Sequence, residues 1–405
     1  MAIANEEKME RTLRIGLMGL SFKSANLGCA ALAISFYTGL TSILNDANID
    51  AEFLAIGDNS DVGEYFNPRY KIEFIEYHLS RPMTLFKAIG ALKTCDIVFD
   101  FTEGDSFADI YGRARFYRSI ALKRILEYKR VPLVLGPQTY GPFDKPDCRL
   151  IAKKIINDAY KVYSRDDKSK KYLDEIGVIK KIDASTDVAF RLPYFKSNKK
   201  DDSRTYIGIN VSGLLWEDSE SGKNSLGLSI NYREYIKGLV TRLGSMPEYK
   251  LFLIPHVGTE IDGIESDYGA CYKVYRDFPN CTLLEGFKDP IKAKTALAQM
   301  DIVIAARMHA SIGAFSSGVF TIPFAYSRKF EGYYGKLKYP IMVDGKSETT
   351  QTAIAKTIDY IKEYDRYSDS IEKSRQMAEE MLSYFYADIL ETIYQVSKDT
   401  QVLKG

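Results

Sequence analysis

Short apolar runs alternate with longer stretches of helical periodicity along most of the chain. Residues 13–18, 51–56, 71–75, 97–101, 131–135 and 161–164 read as strands. Segments 30–44, 84–92, 117–128, 149–160 and a stretch opening at 165–167 and closing at 177 read as helices. A charged, apolar-poor run, KSNKKDDS at 196–203, interrupts this rhythm. The rhythm then restarts, with strands at 206–211, 251–254, 282–284, 301–305 and 319–325 and helices at 232–243, 267–278, 290–299 and 310–318. A glycine- and serine-rich stretch at 219–228 predicts a loop. Beyond Asp344 the pattern is helical, and Met377, Met381, Phe385, Ile389 and Ile393 form one apolar stripe, read as core packing.

Strands alternating with helices predict an α/β fold with parallel sheets. A chain of 405 residues is too long for one ordinary core. The pattern predicts an N-terminal Rossmann-like domain at 1–195, a linker at 196–204, a second Rossmann-like domain at 205–345 and C-terminal helices at 346–405 packing on the domains. The loops richest in polar residues follow strand C-termini, so the expected arrangement is GT-B-like, with a ligand in a cleft between the domains.

Composition narrows the function classes. Apolar content is 45% and charged content 27%, as in globular domains, and the formal charge of +1 gives no global pull toward nucleic acid or membrane. No nucleic-acid partner is expected. Cys29, Cys95, Cys148, Cys271 and Cys281 are dispersed without metal-site spacing, so neither a disulfide framework nor a zinc site is expected. The N-terminus lacks a signal-peptide apolar core, and no run of about 18 apolar residues occurs. A cytoplasmic protein without a transmembrane segment is expected, with the inner face of a membrane as a further option.

The densest candidate chemistry lies at 300–335. A strand there ends in Arg307-Met308-His309, small residues continue as a helix, and a second strand ends in Tyr326-Ser327-Arg328-Lys329. A helix N-terminus offers unpaired N–H groups to an anion. Arg307 adds a planar fork for phosphate or carboxylate, and His309 a group that moves protons near neutral pH. A structural reading also exists, with Arg307 as an ion-pair partner and His309 as a helix-start residue. Arg165 stands at another strand-to-helix junction, where an ion pair with Asp166, Asp167 or Asp187 is the competing explanation. Glu103, Asp105 and Asp109 follow a strand, and Gly136-Pro137-Gln138-Thr139-Tyr140-Gly141-Pro142 predicts a rigid polar loop. The first loop, Gly19 to Gly28, departs from G-x-G-x-x-G spacing, so no dinucleotide site is assigned.

Several of these stretches, taken in order over residues 14–335, resemble the polysaccharide pyruvyl transferases. They are Asn26-Leu27-Gly28, Gly104-Asp105-Ser106-Phe107, Gly136 to Pro142, Ser164-Arg165-Asp166, Thr186-Asp187-Val188-Ala189-Phe190, Ile254-Pro255-His256, Arg307-Met308-His309 and Tyr326 to Lys329. The resemblance implies a GT-B-like enzyme that moves the enolpyruvyl carbons of phosphoenolpyruvate onto two hydroxyls of a sugar. The N-terminal domain would take the acceptor and the second domain the donor. Arg307 and the backbone at Met308 would hold the donor, with Arg165 as a second anion clamp and His309 as general acid. His256, Lys329, Asp105, Gln138 and Asn26 would be further substrate-binding residues, and Asp105, Glu103 or His256 would take the proton from the acceptor hydroxyl. Cys29 stands where family members often carry an acid. No cofactor or metal is implied beyond phosphoenolpyruvate as donor substrate, and the acceptor is a saccharide that can be lipid-linked. Two other readings remain in play: a GT-B glycosyltransferase using a nucleotide sugar, and a non-catalytic subunit of a polysaccharide-synthesis complex.

Overall fold

Strands such as IVIA have no polar face to offer water, so both of their faces must be covered by helices, as in a parallel sheet. The computed structural model describes residues 11–57, 67–78, 80–197, 203–263 and 265–404. The first sheet contains β1 (Leu13–Met18), β2 (Ala51–Gly57), β3 (Lys71–Glu76), β4 (Ile97–Asp100), β5 (Leu133–Gln138), β6 (Lys161–Ser164) and β7 (Asp183–Ala184). The second contains β8 (Thr205–Asn210), β9 (Tyr249–Leu253), β10 (Thr282–Leu283), β11 (Ile302–Ala305), β12 (Phe320–Ala325) and β13 (Val343–Asp344). Strand orders are β3-β2-β1-β4-β5-β6-β7 and β10-β9-β8-β11-β12-β13. Both are doubly wound, with the order reversing beside the first strand of each sheet.

The described residues divide into two compact units. The first takes those up to Lys23, Leu32–Val188 and those from Glu380 onward; the second takes Ser24–Ala31 and Ala189–Glu379. The chain thus passes between units at Lys23/Ser24, Ala31/Leu32, Val188/Ala189 and Glu379/Glu380. Of the charged run at 196–203, residues 198–202 lie outside the described ones, and Lys196, Ser197 and Ser203 are exposed. In the first unit the core runs from Met18, Leu54 and Val98 to Leu135, Ile155 and Val162. In the second it gathers Tyr206, Ile254, Leu297, Val303 and Ala314.

The C-terminal helices serve both cores. Helix Thr350–Lys362 lies against Tyr232–Gly244, where Tyr235 Oη and Thr357 Oγ1 are 2.9 Å apart. From Glu380, helix Tyr364–Lys404 belongs to the first unit. Its Tyr386 hydroxyl donates to the Ser35 carbonyl at 3.1 Å, and its Asp388 takes the Tyr163 hydroxyl at 2.5 Å and the Lys161 ammonium.

Several expectations need correction. The buried stripe of the last helix runs through Ile371, Ala378, Leu382, Phe385, Ile389 and Ile393, while Met377 and Met381 are only half-buried. Residues Gly213–Ser221 form a helix that overlaps the stretch read as loop, capped by Ser212 Oγ accepting from the Leu215 N–H and burying Trp216. Strand β5 continues through Gly136 and Pro137 to Gln138, past the expected loop start. A register shift between Leu135 and Gln138 accommodates the proline, and Gly136 lies under the Phe101 ring, where an added Cβ would meet it at 2.5 Å. Helix Leu27–Asp46 has the length and mean hydropathy (1.7) of a membrane span, although the sequence has no unbroken apolar run. In the structure, 72% of that window is buried inside the protein, as expected for the core helix of an α/β unit.

Candidate functional site

In the second unit the strand order reverses between β8 and β11, and ligands of open α/β sheets bind beyond the strand C-termini at such a point. Ala305 at the end of β11 pairs in register with Asn210 at the end of β8. The chain then turns, and Arg307 becomes the N-cap of helix Met308–Ser316. Arg307 has no capping side-chain oxygen. Its own N–H donates to Asn210 Oδ1 at 2.9 Å, which fixes the turn at the head of the helix.

The Arg307 guanidinium is held in one plane. Nε and Nη2 donate to Asp267 Oδ1 at 3.0 and 2.8 Å, and Nη2 also donates to the Glu265 carbonyl at 3.0 Å. Asp267 is fully buried. It also accepts the N–H groups of Gly213 (2.8 Å), His256 and Val257 (3.2 Å each) and the Asn210 amide (3.3 Å). A buried carboxylate persists only with such partners. One aspartate therefore ties together the segments that follow β8, β9 and β11. Burial works against the Arg307 charge, but Asp267 outweighs it and holds the guanidinium pKa above its ordinary value.

Two imidazoles lie beside this pair. His256 follows β9 and is buried, and its pKa falls to about 3 through burial first, then through the neighbouring His309 and Arg307. It is neutral at neutral pH. His309, partly buried in the first turn of the helix, lies against Gly28, where an ideal Cβ would come within 2.1 Å of its Nδ1. Asn26 makes an isolated antiparallel bridge with Val257, and its Oδ1 accepts the Gly28 N–H at 3.1 Å, starting helix Leu27–Asp46. The first-loop segment and the R-x-H triplet thus belong to one site. Met308 is partly buried at the first helical position. Lys329 is partly buried near the start of helix Arg328–Lys336, beyond β12, the strand next to β11.

The first unit repeats the arginine–aspartate device. Arg165, between β6 and helix Asp167–Glu175, is 3% exposed. Nη1 donates to Asp187 at 2.6 Å and Nε to Thr139 Oγ1 at 3.0 Å. Burial opposes its charge, and Asp187, followed by Asp105 and Asp166, raises its pKa above the ordinary value. The loop beyond β4 carries three consecutive left-handed residues, Thr102 (φ 42°), Glu103 (φ 53°) and Gly104 (φ 87°). At Gly104 an ideal Cβ would come within 3.1 Å of Arg165 Nη1. A threonine in that region is strained, which is common where a loop is shaped for a ligand. Asp105 is partly buried and accepts the Tyr111 hydroxyl at 3.1 Å. Gln138 is fully buried, donating to the Asp100 carbonyl at 3.3 Å, so its side chain lines no open loop wall.

The second unit gathers Arg307, Met308, His309, His256 and Asn26 around the end of β11, with Lys329 one strand away. Arg165 and Asp105 are neighbours in the first unit. Asp267 and Asn210 escaped the sequence reading. Asp267 looks like an ordinary first-turn carboxylate behind the Ser266 cap, and Asn210 merely ends a strand. Among the described residues, no group of His, Cys, Asp and Glu is placed to hold a metal ion.

Solved structures with the same overall fold define the class. They include UDP-GlcNAc 2-epimerase from Neisseria meningitidis bound to UDP-GlcNAc, with 10% identity, TM-score 0.55, and coverage of 92% of this chain and 99% of that one. A HepE protein from Anabaena in complex with UDP-glucose has 11% identity and TM-score 0.57, covering 95% and 100%. An α,α-trehalose 6-phosphate synthase from Burkholderia multivorans has 8% identity and TM-score 0.56, covering 97% and 98%. The fold is therefore of the GT-B type. No curated protein matches the sequence. The family model for polysaccharide pyruvyl transferase matches residues 26–328, and the chain belongs to that family.

Proposed function

We propose that the protein transfers the pyruvyl carbons of phosphoenolpyruvate, as a cyclic ketal, to two hydroxyls of a sugar in a cell-surface or exopolysaccharide precursor. The observation that carries this reading is Arg307 at a helix N-terminus, its plane set by Asp267, with His309 two residues on. A multiply anionic donor needs fixed cations and N–H groups aimed at it. In this reading Arg307 and the Met308 N–H bind the donor, and Lys329 adds positive charge. His309 protonates the methylene carbon as one sugar oxygen bonds to the adjacent carbon. The second oxygen then bonds to that carbon as its bond to the phosphate oxygen breaks. One hydroxyl proton ends on the new methyl group and the other leaves with inorganic phosphate. His256, with a pKa of about 3, suits a neutral hydrogen-bonding role better than that of a base. Asn26 contacts the acceptor in this reading, and the buried Gln138 suits a positioning role within the first unit.

The test is mass spectrometry of an acceptor pool incubated with the protein and phosphoenolpyruvate. A pyruvyl adduct, formed with release of phosphate, is expected. The structural neighbours bound to UDP-sugars favour a second reading, a nucleotide-sugar transferase. A ligand at 100 times its Kd should stabilise the fold by ~2.7 kcal/mol. Stabilisation by UDP- or CMP-sugars but not by phosphoenolpyruvate would therefore favour that alternative.

A further inference from the structure

Three helices lie side by side on one face of the first sheet. They are Pro82–Leu92, Arg113–Lys129 and Pro146–Asp158, which follow β3, β4 and β5. Arg113 and the Tyr117 hydroxyl both reach Asp147, and Lys154 reaches Glu127, so the second and third helices are locked together. The inward faces fill the core through Leu92, Phe116, Leu126 and Ile155. The outward faces are unusual. Met83 is 80% exposed, Phe86 67%, Tyr128 79% and Leu150 73%.

These apolar tips are set among cations. On the first helix Lys87 follows Phe86, and Arg81 and Lys93 flank the ends, all three exposed. The helix itself, PMTLFKAIGAL, contains no acid. On the second, Arg113, Arg115, Arg118, Arg124 and Lys129 are exposed, and three of them reach carboxylates: Arg113 reaches Asp147, Arg115 Glu103 and Arg124 Glu127. Tyr117, Arg124 and Tyr128 share one outward stripe at helical spacing. The whole chain carries only +1, so this is a local positive excess rather than a general one.

We infer that this three-helix face docks the protein onto an anionic lipid bilayer. Met83 and Phe86 share one side of the first helix at i, i+3 spacing, and Tyr128 and Leu150 project from the second and third helices, each helix carrying exposed cations beside them. Individually protruding apolar groups surrounded by long cations match the bilayer boundary. There the tips enter the acyl edge while Lys and Arg heads stay among the phosphates. The anionic surface supplies the charge that the basic face lacks, and attraction to it acts only within a Debye length. The inference goes beyond the reaction and does not depend on the donor.

Vesicle co-sedimentation tests it, using phosphatidylcholine vesicles with and without phosphatidylglycerol. Wild type should sediment with the anionic vesicles only and be released by salt. Arg118→Gln/Arg124→Gln should weaken partitioning by about 25-fold, at about fivefold per charge. Met83→Ser/Phe86→Ser should weaken it by at least about tenfold. All these positions are exposed, and unchanged melting curves would show that the variants fold. The inference is overturned if wild type ignores anionic vesicles, binds neutral ones equally well, or is unaffected by both double substitutions. It is also overturned if the apolar pair instead abolishes a concentration-dependent dimer seen by ultracentrifugation without lipid, since the face would then belong to a second copy.

Discussion

His309 lies against the α-carbon of Gly28, so closely that a methyl group at position 28 would sit 2.1 Å from its Nδ1. Nothing in either local sequence predicts the contact. It makes the glycine of the first loop a condition for the position of the imidazole. Gly28→Ala should therefore displace His309 and lower turnover by about 100-fold or more, as expected when a reacting group is misplaced by about 1 Å. Donor affinity should change much less. Turnover and donor titration on the same variant check this, and normal turnover would mean that the position of the ring does not matter.

His309→Gln removes the proposed acid while leaving Arg307 and the helix N-terminus in place. The expected outcome is near-normal donor affinity with turnover reduced by ~10²–10⁴-fold, the signature of an interaction made mainly in the transition state. Retention of near-normal turnover would remove His309 from the chemistry.

Arg307 and Asp267 are the two ends of one ion pair and are tested from each end. Arg307→Lys replaces a planar fork with a point charge and should weaken donor binding by about tenfold or more. Asp267→Asn leaves the guanidinium without its buried counter-charge. It should lower folding stability by about 3–5 kcal/mol, read from urea unfolding, as well as weaken the donor. A variant as stable as wild type would contradict the role assigned to Asp267.

His256 gives the fold an acid sensitivity of known sign. Its pKa is depressed to about 3, so between pH 6.5 and 3 the unfolded chain binds a proton that the folded one does not. Stability from this group is present above about pH 6.5 and drains away as pH falls toward 3. By pH 5 the loss is about 2 kcal/mol. Thermal or urea unfolding at pH 7 and pH 5 should show a smaller acid penalty for His256→Gln by that amount. Equal penalties would place the sensitivity elsewhere.

Much was legible in the sequence. Runs such as IVIA, alternating with periodic segments, announced parallel sheets because a strand buried on both faces has no polar side. Arg307, His309 and Arg165 stood out because a charged or titratable residue directly after a buried strand falls at the ligand-binding edge of such sheets. The short edge strands β7 and β13 and helix Gly213–Ser221 were not legible. Two residues carry no periodicity, and GLLWEDSES contrasts weakly from face to face.

What the sequence determined by itself was therefore the kind of layer, the strand-to-helix junctions and the residue types placed on them, all set by local periodicity and side-chain chemistry. The tertiary structure decided the partners. It chose Asp187 among three nearby candidates for Arg165, brought Asp267 under Arg307 and set Gly28 against His309. It also assigned helix Leu27–Asp46 to the protein interior. These choices depend on which strands become neighbours and how closely the backbones approach, and a one-dimensional pattern does not encode distances between remote segments.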